Sequence, residues 1–371
     1  GRVGGVHLAA KFVHMYPFWS RHFAIVGSLF AAAPCAAQTV HYPQEVHLAN
    51  VRQLTSGGDN AEAYWSFGGD RLIFQSNNPA WNVSCDQIYI LQLDSAGKAS
   101  GTFPPTQVST GLGRTTCSYF LPGDTTFVYA STHLGNPECP EVPARGPSGE
   151  YVWPIYADYD VFVSSVRGGE PVRLTNTPGY DAEATVSPRG DRMVFTSMRS
   201  GDLELYTCDL DGSDVRQITN TLGYDGGAFF SPDGKWIVWR ASRPSTDAER
   251  EKYLRLLGQG LVEPTDMELF VARADGRKAR QITTLGGANW APFFTPDGSR
   301  ILFATNHHTG GFPFNLFLIG KNGQGLEQVT FDSAFDSFPM FSPDGKRLVF
   351  ASNRNNGRTR STNLFIADWI D

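Results

Sequence analysis

Two sets of polar residues recur at matched places along the chain. Asn60, Thr115, Asp181, Asp225, Asn289 and Asp336 form one; Asn78, His133, Arg199, Arg243, His307 and Arg354 form the other. Carboxylates beside guanidinium and imidazole groups could grip a ligand or hold a divalent cation, and Arg199 and Arg243 would favour an anionic ligand. The same groups could instead pair with one another and brace the fold. Glu62 and Glu183, two residues past members of the first set, pose the same choice between cation ligand and hydrogen-bond acceptor. His307 and His308 are adjacent, and neighbours on a strand point to opposite faces, so at most one could join His133 at a shared metal. Nucleophilic catalysis lacks its marks: there is no Gly-x-Ser-x-Gly elbow, no His-Glu-x-x-His helix and no Gly-rich phosphate loop.

What would hold these residues in place is a repeat. A short apolar phrase closing on Thr or Ser returns six times: Arg52-Gln53-Leu54-Thr55, Gln107-Val108-Ser109, Arg173-Leu174-Thr175, Arg216-Gln217-Ile218-Thr219, Arg280-Gln281-Ile282-Thr283 and Glu327-Gln328-Val329-Thr330. A turn follows each phrase. Ser231-Pro232-Asp233-Gly234, Thr295-Pro296-Asp297-Gly298 and Ser342-Pro343-Asp344-Gly345 are full copies, and Ser187-Pro188-Arg189-Gly190 is a close one. Phe67-Gly68-Gly69-Asp70 and Leu121-Pro122-Gly123-Asp124 are degenerate. Proline presets φ, aspartate bonds nearby amides and glycine accepts positive φ. Apolar runs flank the turns, as in Trp236-Ile237-Val238-Trp239, so each unit reads as buried strands joined by hairpins.

Four strands to a unit of roughly 45 residues is a propeller blade. The sequence therefore predicts an all-β chain folded as a six-bladed β-propeller with four-stranded blades. The last unit lacks its fourth strand, and residues 41–55 hold a surplus one. Pairing that strand with Asn363-Leu364-Phe365-Ile366-Ala367-Asp368 would close the ring and hide two sheet edges. Blades 2 and 4 carry insertions between their second and third strands, which puts both on one rim. The first is rich in proline, hence a rigid loop. The second holds a helix over residues 247–257, capped by Ser245 or Thr246 and stopped at Gly258, with Tyr253, Leu254 and Leu257 as its apolar face. This helix is expected to be mobile. By strand polarity, the two polar sets should ring the channel mouth on that rim.

Residues 1–37 read as upstream residues and a signal peptide, and 38–371 as a single propeller domain. Met15 is the expected start. Arg21 and His22 precede the apolar run 23–33, and Cys35-Ala36-Ala37 offers a cleavage site before Gln38. That run is too short to span a bilayer, and no later stretch is apolar enough. The expectation is a periplasmic or secreted bacterial protein, with lipid anchoring at Cys35 the lesser alternative. Export allows a disulfide. The Pro-rich loop can bring Cys139 to Cys85 or Cys117, with Cys85 preferred; zinc held by Cys85, Cys117, Cys139 and His133 is the alternative. Cys208, alternating with Tyr206, should be a buried free thiol. A net charge of −6 argues against a nucleic-acid partner.

The Ser-Pro-Asp-Gly turns, Arg347-Leu348-Val349-Phe350, Ala351-Ser352-Asn353-Arg354 and Leu205-Tyr206 with Asp209-Leu210-Asp211-Gly212-Ser213 closely resemble the repeats of the TolB-like propeller family. The resemblance covers residues 41–371. It implies a six-bladed propeller of the bacterial envelope that serves as a protein-binding platform, here without the α/β domain that precedes the propeller in TolB. No hydrolase domain of the prolyl-oligopeptidase kind is expected after blade 6. Some oligogalacturonate lyases share the fold and hold a metal with histidines. The function expected is a non-enzymatic platform for an envelope protein or a small ligand at the inserted rim, through Asp181, Asp225, Asp336, Arg199, Arg243, Arg354, His133, His307 and Trp153. No cofactor is called for beyond a divalent cation in the channel. The alternative is a propeller enzyme, lyase-like or hydrolase-associated, working with the same acids, arginines and histidines.

Overall fold

The computed structural model describes residues 40–101, 103–143, 145–357 and 359–371. The signal segment, Cys35 and the proposed start lie outside the described residues. Six antiparallel sheets follow one another along the chain. Their innermost strands are Asn60–Trp65, Thr115–Phe120, Asp181–Val186, Asp225–Phe230, Asn289–Phe294 and Asp336–Phe341. Each packs against the innermost strand of both neighbouring blades, blade 6 against blade 1 included. The chain is a six-bladed β-propeller.

The repeated sequence signals have direct structural work. In every blade the Thr or Ser that closes the short phrase accepts a hydrogen bond from a backbone N–H of the third strand. Ile88, Val161, Leu205, Leu269, Leu316 and Leu364 donate to Ser109, Thr175, Thr219, Thr283, Thr330 and Thr55 over 2.7–2.9 Å. In blades 1 to 5 the outer strand is thus clasped by a side chain where its own ladder is only two residues long. In the Ser-Pro-Asp-Gly turn the Ser231 hydroxyl donates to Asp233 at 2.6 Å and accepts from the Trp236 N–H at 3.0 Å. Gly234 sits at φ 65°, which glycine adopts without a Cβ clash. Thr295 with Asp297 and Ser342 with Asp344 repeat the bond at 2.6 Å.

Blade 6 takes its outermost strand from the other end of the chain. Leu48–Gln53 pairs antiparallel with Asn363–Trp369, with Leu48 opposite Trp369 and Gln53 opposite Phe365. Side chains lock the junction. Arg354, fully buried, reaches Glu45 at 2.9 Å and Asp336 at 2.8 Å. Two carboxylates around one desolvated guanidinium hold it more firmly charged than usual. Tyr42 donates to Asp332 at 2.7 Å, and His47 lies 2.8 Å from Glu327.

The inserted helix runs Asp247–Leu257, capped by Thr246 with Glu249 closing a capping box. Its buried face differs from the one the sequence suggested. Tyr253, Leu256 and Leu257 are buried against the rim, while Leu254 stands 52 % exposed. Residues 253, 256 and 257 share a face at helical spacing; residue 254 is turned about 100° from 253 and misses it.

Removing one partner of a buried ion pair strands the other charge. Glu45→Ala should therefore cost about 3 kcal/mol, the low end for such a loss because Asp336 still faces Arg354. Chemical denaturation measures it, and a variant as stable as the parent would show that closure does not lean on this link.

Candidate functional site

The six innermost strands share an irregularity that decides what the channel contains. Pairing with the second strand slips at the third residue of each, for instance between Ala61 and Tyr64 and between Gly226 and Phe229. The residue at that bulge has positive φ in all six blades: Glu62, Cys117, Glu183, Gly227, Ala291 and Phe338, at 47–60°. A bulge re-aims its side chain, and these six line the channel together with Tyr64, Thr185 and Phe229.

This corrects the expectation for the first polar set. Asn60, Thr115, Asp181, Asp225, Asn289 and Asp336 are at most 1 % exposed and do not line the central cavity. Asp181, Asp225 and Asp336 meet arginines of the second set, while Asn60, Thr115 and Asn289 bond backbone carbonyls of a neighbouring blade, those of Thr362, Asp86 and Met267. Arg199 reaches Asp181 at 3.2 Å, Arg243 reaches Asp225 at 2.6 Å, and Arg354 reaches Asp336. The same three arginines lie over aromatic rings: Arg199 over Phe195, Arg243 over Phe270 and Arg354 over Phe350, at 4.7–5.1 Å. His133 and His307 occupy the matching positions. Each bonds a hydroxyl two residues back, Ser131 or Thr305, and packs on Phe162 or Phe317 at 4.5 and 4.8 Å. Burial lowers both imidazoles from their ordinary value. His308 Nε2 lies 2.9 Å from Asn315 Oδ1. Blades 2 and 5 stand on opposite sides of the ring, so the three histidines do not converge. Among the described residues no group of three or more His, Cys, Asp or Glu is arranged to hold a metal.

The upper channel is a charged centre of another composition. Glu183 accepts four hydrogen bonds: from Tyr224 at 2.5 Å, Gly227 N–H at 2.7 Å, Thr196 at 2.8 Å and Arg240 at 2.8 Å. Glu62 accepts from the Cys117 thiol at 3.0 Å and Tyr64 at 3.2 Å. Burial pushes the Glu62 carboxyl and the Cys117 thiol up from their ordinary values. The cavity between them is about 30 Å³, room for a water molecule and not for a substrate. Sequence reasoning missed Arg240. Its signal was there: at the matching place in the second strand the other blades carry Gln75, Ala130, Thr196, Ala304 and Ala351.

Below this cavity an aromatic belt divides the channel. Tyr64 lies 5.5 Å from Tyr119 and 5.8 Å from Phe229, and Phe229 lies 5.2 Å from Phe293. Beyond the belt, at the rim of the Pro-Asp-Gly turns, a separate apolar well of about 310 Å³ opens.

Above it, the two insertions meet. Trp153–Pro154 of blade 2 pairs with Leu261–Val262 of blade 4 as a two-stranded sheet. Trp153 lies 5.1 Å from Trp290 and over the Arg240 guanidinium at 5.2 Å. Tyr253 on the helix donates to Asp202 of blade 3. Cys85 and Cys139 form a disulfide, their Cα atoms 5.7 Å apart, which ties the Pro-rich insertion to blade 1. Cys117 and Cys208 are free, Cys208 buried.

No family model matches the sequence, and no curated protein does. Solved structures match in fold. A putative TolB from Agrobacterium tumefaciens aligns over 85 % of this chain and 91 % of its own, with a TM-score of 0.54 and 19 % identity. TolB from Acinetobacter baumannii aligns over 82 % of this chain and 64 % of its own, with a TM-score of 0.54 and 18 % identity. The fold is that of the TolB-like propellers. An oligogalacturonate lyase in complex with manganese shares the architecture at 14 % identity and a TM-score of 0.50, over 88 % of this chain and 95 % of its own.

One further feature of this propeller sits between blades 3 and 4. Glu204 and Asp225 are buried together, and each keeps one oxygen without a donor. The Thr221 N–H at 2.8 Å serves the other oxygen of Glu204; Arg243 and Trp239 serve that of Asp225 at 2.6 and 2.5 Å. Burial and the neighbouring carboxylates push Glu204 up to about 8, and burial pushes Asp225 up to about 6. The folded state therefore keeps a proton that the unfolded chain gives up above 4.5, the ordinary glutamate value. Stability should fall as pH rises from there through about 8. Glu204→Gln supplies the missing donor without a titration, so denaturation midpoints at pH 5 and pH 9 should converge in the variant and diverge in the parent. Thiol counting on unfolded, unreduced residues 38–371 should find two free thiols; four would remove the disulfide.

Proposed function

We propose that this chain is an exported, non-enzymatic propeller that binds a partner protein of the bacterial envelope on its inserted rim. The observation that carries this is the cap. Closing a six-bladed ring needs short connections only, and blades 1, 3, 5 and 6 use them. Blades 2 and 4 instead build a shared layer with its own strand pair, buried helix face and disulfide. That layer presents Leu134, Val142, Tyr151 and Leu254 at 45–60 % exposure. Apolar and aromatic groups on a rigid, pre-ordered support are the makings of a protein interface.

Trp153 belongs to this platform, wedged between Trp290 and Arg240. Asp181, Asp225, Asp336, Arg199, Arg243, Arg354, His133 and His307 serve it from beneath, by fixing the strand ends from which the rim loops spring. Export rests on the apolar run 23–33 and the small residues after it. Among the described residues no helix is long and apolar enough to cross a membrane. The structures named TolB lend the envelope setting.

The enzymatic reading has one observation in its favour. A solved oligogalacturonate lyase in complex with manganese shares the propeller architecture over 88 % of this chain, at 14 % identity and a TM-score of 0.50. Metal analysis of the purified protein separates the two readings: stoichiometric divalent metal lost in His133→Ala or His307→Ala would favour the enzyme.

Tyr151→Ala with Leu254→Glu should lower capture of the envelope partner at least tenfold while the melting temperature holds. Capture unchanged by this pair, beside a folded protein, would remove the platform from the rim.

A further inference from the structure

The well at the turn rim is a site of different character, on the opposite face from the platform. All six blades contribute to its wall, and its aromatic lining includes Trp65, Tyr119, Phe230, Phe293 and Phe341. Four repeated prolines, Pro188, Pro232, Pro296 and Pro343, form its lip. None of the lining residues carries a charge. A charged ligand entering here would shed hydration with no counter-charge to replace it. The volume of about 310 Å³ is at the small end of ligand pockets. The lip is followed at once by exposed polar turn residues, Asp233, Lys235, Asp344 and Lys346. Apolar surface therefore ends where the well ends. A docking protein covers about 800 Å² of its partner, far more than this opening offers, whereas a small molecule can sit wholly inside.

One polar group can orient such a molecule. Most hydroxyls near the well are used: Ser66 bonds the backbone of Arg71, Ser342 bonds Asp344, and the Trp65 indole donates to the Met340 carbonyl. The Tyr119 hydroxyl has no hydrogen-bond partner among the described residues, and burial keeps it un-ionised. An aromatic wall with a single phenol handle suits a flat, neutral ring bearing one hydrogen-bonding substituent.

We propose that this well binds a compact, uncharged aromatic molecule carrying one hydroxyl or ring N–H, held by the aromatic wall and hydrogen-bonded to Tyr119. Because all six blades supply the wall, only the closed ring offers the site, and occupancy should stabilise the fold by mass action.

The test uses the whole chain and a neutral reporter dye, N-phenyl-1-naphthylamine. Saturable one-to-one fluorescence enhancement is expected, displaced by 2-naphthol and not by naphthalene-2-sulfonate, with 2-naphthol raising the melting temperature. Pro232→Trp, at an exposed position on the lip, should weaken the dye at least tenfold. Tyr119→Phe should weaken 2-naphthol several-fold as a competitor and leave naphthalene, which has no hydrogen-bonding group, nearly unchanged. Tyr151→Ala with Leu254→Glu on the other rim should bind the dye normally, so failure here and failure of the platform are told apart. Absence of saturable binding, equal competition by the sulfonate, or indifference to both well variants would overturn the proposal. A dimer in sedimentation with no dye uptake would do the same, since a second copy of the chain would then occupy the well.

Discussion

A propeller blade cannot stand alone: each sheet is apolar on both faces and must be covered by the next. In a closed ring this requirement passes from blade to blade until it returns to the first, so the last blade must be as complete as the rest. Here its outer strand comes from Leu48–Gln53, far away in sequence, and the junction is locked by Arg354 between Glu45 and Asp336. Every other feature presupposes that closure. The channel exists only because the ring is shut, and both of its ends draw on several blades at once.

Within the closed ring, a repeated backbone defect sets the chemistry of the axis. The first polar set stays buried, and the bulge at the third residue turns Glu62, Cys117 and Glu183 to the channel. Residues held at positive φ are strained when they are not glycine, by on the order of 1–3 kcal/mol each. Five of the six blades carry a non-glycine residue at this position. The buried acids are not idle. Asp181, Asp225 and Asp336 are the partners that hold Arg199, Arg243 and Arg354 flat on their aromatic neighbours.

The two rims then divide the labour. One is built from small repeated turns whose hydroxyls and carboxylates satisfy their own backbone, leaving an apolar well at the centre. The other carries the two insertions that are not part of the repeat, and these pack on each other and close over Arg240. The aromatic belt around Tyr64, Phe229 and Phe293 keeps the two ends chemically separate.

The amino-acid sequence by itself determined the six repeats, the turn type, the strand order and the helix that starts at Ser245 or Thr246 and stops at Gly258. These are local matters: φ preferences, capping and period-two burial act over a few residues and leave a readable mark each time they recur. It also left a mark at Arg240, a charge where the other repeats carry Ala, Thr or Gln, though what that charge faces is not readable from one strand. Only the tertiary structure decided which side chains see the channel, because the bulge falls on Glu62, Cys117, Glu183, Gly227, Ala291 and Phe338, which share no residue type that a sequence could flag. Only the tertiary structure, too, brought Trp153 onto Trp290 and Arg240, Tyr253 onto Asp202, and Glu204 beside Asp225. Those contacts join segments that no spacing rule connects, and their partners are chosen by the geometry of the closed ring.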